Sequence, residues 1–97
     1  NDKGIAAVIN AITKELNLYV SNGFLTTNKV WTDGDLYFEN YKIIDDNTLL
    51  NTGYKVVVMP YETLTPEEIK AHKFPKIYIL IADSYSIRKI VISGEVF

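Results

Sequence analysis

The sequence contains no cysteine, which excludes disulfides, zinc knuckles, thiol nucleophiles and cysteine-ligated clusters together. It has a single histidine, His72, so a transition-metal site would have to lean on carboxylates. No G-x-S-x-G motif announces an activated serine, and the serines lie in turn or strand contexts, which leaves a Ser-His-acid triad without its nucleophile. The five glycines, at positions 4, 23, 34, 53 and 94, are too dispersed for a phosphate-cradling loop or a dinucleotide fingerprint. No apolar run approaches the ~20 residues of a membrane span, and the N-terminus lacks the basic-then-apolar pattern of a secretion signal. A soluble chain without membrane contact is therefore expected, its compartment left open. An excess of positive charge is missing as well: 10 basic against 12 acidic side chains give a net charge of −2, which disfavours nucleic acid as a partner. No cofactor is expected.

What is present is enough apolar material for one core. Ninety-seven residues, 47% hydrophobic and 23% charged, predict a single domain over residues 1–97. The chain begins Asn1-Asp2-Lys3-Gly4 rather than with Met and stops on Val96-Phe97, so it is expected to be either processed or a piece of something longer. Ile, Asn, Lys and Tyr supply 36 of the 97 residues, a bias that fits the AT-rich genomes of many bacteria and their phages. There is no internal repeat, low-complexity stretch or linker.

Apolar residues at Ile5, Val8, Ile9, Ile12 and Leu16 follow the rhythm of one helical face, predicting a helix over about residues 3–19 with Asp2 as its N-cap and Ser21-Asn22-Gly23 as its stop. The segments 24–31 and 36–44 are rich in aromatic and β-branched residues, and Asp33-Gly34 between them suits a tight hairpin turn. A short strand at 48–50 and a longer one from Tyr54 follow, with Pro60 marking the end of pairing. Thr65, Pro66 and Glu68 form a capping box that starts a second helix, which Phe74-Pro75 is expected to close after about two turns. The unbroken apolar run 76–82 reads as a strand buried on both faces, turned by 83–86 into a last strand at 87–97. The fold class is α+β: a two-layer sandwich with the N-terminal helix on a mostly antiparallel sheet of about five strands, and the short second helix before the last two.

Residues 31–46 concentrate the candidate chemistry. Asp33, Asp35, Glu39, Asp45 and Asp46 against Lys42 give this stretch a charge of −4, and Trp31, Tyr37 and Tyr41 stand among them. Strand alternation would put Asp35, Tyr37 and Glu39 on one face, with Asp33 across the turn. Clustered carboxylates of this kind suit Mg²⁺ or Mn²⁺, but a wet hairpin face that carries its charges in water explains them as well, and no metal site is assigned. His72, with Lys70, Lys73 and Lys76 around it, reads as a solvated residue near the end of the second helix, where the helix dipole favours positive charge.

The layout of helix, three-strand meander, short helix and strand is similar to the core of the PD-(D/E)XK nucleases, the restriction-endonuclease-like fold, over most of the chain. In that resemblance Asp35 matches the family's first metal-binding aspartate. The third strand, Tyr54 to Met59, supplies Lys55 but has Gly53 where the family carries an acid two residues earlier, so the defining motif is incomplete. The resemblance implies at most a divergent or degenerate metal-dependent nuclease using Asp35, Glu39 and Lys55.

The reading that fits more of the sequence is a small non-catalytic interaction module, an assembly component or inhibitor of bacterial or phage origin. It would meet a basic protein partner, or itself, through Trp31, Asp33, Asp35, Tyr37, Glu39 and Tyr41. The last strand adds a second surface: Ile87, Ile90, Ile92 and Val96 would make a sheet edge that Arg88 and Lys89 only partly guard.

Overall fold

The computed structural model describes residues 2–95. In chain order the elements are α1 (Asp2–Ser21), β1 (Lys29–Trp31), β2 (Leu36–Phe38), β3 (Tyr41–Ile44), β4 (Thr48–Leu50), β5 (Tyr54–Val58), a 3-10 turn (Tyr61–Thr63), α2 (Pro66–Lys70), β6 (Lys73–Ala82) and β7 (Ile87–Glu95). The α+β class, a helix laid on antiparallel strands and a short helix before the last two strands are as the sequence predicts.

The apolar stripe of α1 makes it a surface helix with one buried side. Ile5, Val8, Ile9 and Ile12 pack half-buried, and Leu16 fully buried, against Phe74, Ile77 and Ile79. Helix and sheet are also joined by the Tyr54 hydroxyl, which donates to Asn17 Oδ1 at 2.7 Å. The helix ends where Ser21-Asn22-Gly23 requires. Gly23 takes φ +78°, its N–H donates to the Val20 carbonyl at 3.1 Å, and the Phe24 N–H reaches back to the Tyr19 carbonyl at 2.9 Å. These two bonds are the Schellman pair that satisfies orphan carbonyls, and the hydrophobic contact that accompanies it is the edge-on packing of Phe24 against Tyr19. The cap expected of Asp2 lies outside the described side chains.

β5, β6 and β7 form an antiparallel sheet with β6 in the centre. From Ile77 to Ala82 β6 is apolar on both sides because both of its faces are covered. Phe74, Ile77 and Ile79 face α1, while Tyr78, Leu80 and Ala82 face a second cluster with Trp31, Ile43, Ile44, Leu50 and Met59. Ile77 and Leu80 are wholly buried, one on each face, each worth roughly 1.5–3 kcal/mol over an exposed side chain.

The second cluster is roofed by two ribbons, and here the sequence expectation is corrected. Asp33-Gly34 does not join adjacent strands: β1 pairs with β4 (Trp31 opposite Thr48), and β2 pairs with β3 (Phe38 opposite Tyr41). Segment 36–44 is therefore two strands, folded over at Glu39-Asn40, with Glu39 in the left-handed region at φ 53°. Instead of one sheet of about five strands there are three antiparallel sheets, with seven strands among the described residues. Burial of Trp31 gives the physical reason. Pairing β1 with β4 turns the indole into the core, and its Nε1–H is satisfied by the Gly34 carbonyl just beyond.

The loops are tied to the sheet end by a short relay: Thr26 N–H donates to the Ala82 carbonyl at 2.8 Å, and Ala82 N–H to the Gly53 carbonyl at 2.9 Å. Gly53 is at φ +88°, and a Cβ there would come within 3.2 Å of the Thr26 carbonyl oxygen, so the position needs glycine.

At α2 the capping box forms as predicted, with Glu68 N–H donating to Thr65 Oγ1 at 3.2 Å and Thr65 N–H to Glu68 Oε1 at 2.8 Å. The helix is shorter than expected. His72, exposed and at φ 57°, ends it, and Phe74-Pro75 lies inside β6 instead of closing the helix. A register shift between Phe74 and Ile77 accommodates the proline, which has no N–H to give the ladder.

Candidate interaction surfaces

The acidic run is locked more by backbone donors than by any ion. Gly34 N–H donates to Asp46 Oδ1 at 3.1 Å and Asp46 N–H donates to Asp35 Oδ1 at 2.8 Å, so the loops 32–35 and 45–47 hold each other. Lys42 sits over the Tyr37 ring, 5.6 Å from its centroid, donates to Asp45 at 2.7 Å and lies 3.6 Å from Asp35. The Asp46 N–H bond, with Lys42 adding to it, holds the Asp35 carboxyl below its ordinary range, and the bond to Asp45 raises the Lys42 ammonium. Asp33 and Glu39 have no ion-pair partner among the described residues.

The six residues expected to form one surface are thus divided. Trp31 is 7% exposed and belongs to the core, and Tyr41 packs half-buried against the same cluster. Tyr37, at 51% exposure, remains outside the core, and Asp33, Asp35 and Glu39 are exposed as well. Asp35 and Glu39 flank β2 at opposite ends, and the left-handed turn at Glu39 breaks the alternation that would have put them on one face. Lys55 lies on β5, in a different sheet. No three Asp, Glu or His side chains among the described residues group as metal ligands.

The outer face of the first ribbon carries an apolar pair outside the predicted surfaces, Val30 opposite Leu49, both exposed. The signal was present: with Trp31 facing inward, alternation sends Val30 outward.

The last strand is an edge, but of the apolar residues that would make it sticky Ile87 and Ile92 pack half-buried against the two core clusters. β7 pairs with β6 on one side and has no strand on the other among the described residues. Ile90 and Val91 are 42% and 43% exposed, whereas no residue of the opposite edge strand, β5, is fully exposed. Arg88 and Lys89 charge the beginning of β7, and Ile90 to Ser93 follow with neither charge nor proline to blunt pairing. Val96, also expected on this edge, lies outside the described residues.

The sequence matches the family described as E217 tail sheath protein gp31-like, C-terminal domain, over residues 1–96. The chain belongs to this family. The matched segment runs through every element from α1 to β7. No curated protein and no solved structure gives a match. Family membership bears out the broader expectation from sequence, a structural or assembly component of a phage. No helix among the described residues is long and apolar enough to cross a membrane.

Proposed function

We propose that this chain is a non-catalytic structural domain that joins neighbouring subunits of a phage tail sheath, and that the free edge of β7 is its principal contact. The observation that carries the reading is an edge strand of nine residues, paired on one side, whose middle exposes Ile90 and Val91. An open edge offers a row of unpaired backbone donors and acceptors, and apolar side chains on it add burial to strand addition. Membership in a tail sheath family supports a neighbouring subunit as the partner. The ribbon loops supply a second, acidic contact: Asp33, Glu39 and Tyr37 suit a basic patch on that neighbour or on another protein.

The test is the mass in solution by light scattering across concentration, for the parent chain and for a variant with Ile90→Lys and Val91→Lys. Both positions are partly solvated, so the variant is expected to fold, and its association is expected to weaken by tenfold or more, on the order of the 1.4 kcal/mol that a tenfold change represents. Equal association of the two chains would remove β7 from the contact.

A further inference from the structure

Tyr85 is 93% exposed, yet the backbone beneath it is held by several hydrogen bonds. Asp83 Oδ1 accepts from the N–H groups of Tyr85 and Ser86, each at 2.8 Å, and Asp83 N–H donates to the Ser86 carbonyl at 2.9 Å. Arg88 Nε lies 3.4 Å from Asp83 Oδ2, and Lys29 Nζ donates to the Ser84 carbonyl at 3.0 Å, pinning the turn to β1. A phenol displayed on a fixed backbone loses little freedom when it is buried by a partner, and tyrosine is among the residues that dominate contact energies.

Next to this knob lies a hole. A cleft of about 280 Å³ runs between Val30, Thr32 and Asp33 on one wall and Tyr85, Ser86 and Ile87 on the other. Both signs of charge are present: Lys29 and Asp33 lie together on the β1 wall, Arg88 pairs with Asp83 in the turn that carries Tyr85, and Asp33 has no ion-pair partner among the described residues. Knob, cleft, cations and a free carboxylate thus share one patch, and a second copy of that patch offers a counterpart to each.

We infer that the β6–β7 turn anchors a second copy of this chain, with Tyr85 of one copy seated in the cleft beside β1 of the other and Asp33 meeting Lys29 and Arg88 across the contact. The inference rests on the self-assembly reading above and adds a contact at the turn into β7, apart from Ile90 and Val91 in the middle of the strand.

The absence of cysteine makes the test direct. A Ser86→Cys chain is mixed with a Thr32→Cys chain under mild oxidation, and in parallel with an Ile69→Cys chain, whose cysteine lies on the exposed side of α2. The 86–32 disulfide is expected to exceed the 86–69 disulfide by about tenfold, and adding Tyr85→Ala to both partners is expected to abolish the excess while leaving Tm unchanged. If the chains associate by light scattering but the two disulfides form equally, or Tyr85→Ala changes nothing, the anchor is wrong and the β7 contact stands. If the chain is monomeric at every concentration and no disulfide forms preferentially, both the anchor and the self-assembly reading fall.

Discussion

Trp31 shows how far a side chain's role depends on which strand its neighbours pair with. Among acids and tyrosines in the sequence it resembles an interface residue, but pairing of β1 with β4 buries it against Ile43, Leu50 and Leu80. As the single tryptophan, it is a clean probe. Its fluorescence is expected to be blue-shifted and weakly quenched by acrylamide, and Trp31→Ala is expected to cost about 3–5 kcal/mol in urea unfolding. A solvent-like emission and a small loss would return Trp31 to the surface. Asp83 acts at the same scale. The N–H groups of Ser86 and Tyr85, then Arg88 and Lys29, hold its carboxyl below the ordinary value of 3.8. The folded state therefore takes up this proton less readily than the unfolded chain. The stabilisation is fully present above 3.8 and is lost as pH falls through the lower folded value. Asp35 and Glu68 are lowered too, by the N–H groups of Asp46 and Thr65, so Tm is expected to fall on acidification below about pH 4. Asp83→Asn should be less stable at neutral pH and show a shallower acid decline in thermal melts. A decline as steep as the parent's would mean that Asp83 does not carry it.

At the scale of elements, what was legible is what local chemistry dictates. The stripe from Ile5 to Leu16, the stop at Gly23, the capping box at Thr65 and the doubly buried run of β6 each depend on residues close in sequence, and each is present. The ribbons were not legible because their pairing is non-local. Asp33-Gly34 carries the turn residues and Gly34 does adopt φ +85°, but the strand partners of β1 lie beyond a hairpin whose own turn is Glu39-Asn40. A glutamate in the left-handed region is an uncommon choice, and nothing in Phe38-Glu39-Asn40-Tyr41 announces it. Pro75 misled in a similar way: it reads as a helix stop, but the register shift in β6 gives it a place in a strand. The Glu39 conformation makes a prediction. Relief of about 1–2 kcal/mol of left-handed strain, less roughly 0.5–1 kcal/mol of added chain entropy, should make Glu39→Gly more stable by up to about 1.5 kcal/mol in urea unfolding. A destabilised variant would show that Glu39 contributes a contact that outweighs its backbone strain.

For the whole molecule, shape and edges point outward. The radius of gyration is 14.3 Å, against about 12.5 Å for a compact chain of this length, and the extents of 41 × 28 × 16 Å describe a slab. The slab leaves α1 only half-covered along Ile5, Val8 and Ile9 and, among the described residues, leaves β7 paired on one side. Of the candidate surfaces, the acidic run was visible in composition and the β7 edge in its apolar pattern, whereas the Tyr85 cleft required the fold to bring 30–33 beside 85–87. The most direct test of the β7 contact is amide hydrogen exchange read by NMR at dilute and at high protein concentration. The amides of Ile87–Glu95 that face away from β6 are expected to gain protection as concentration rises, while those of α2 do not. Protection in β7 that is independent of concentration, in a chain whose mass shows association, would contradict the β7 contact.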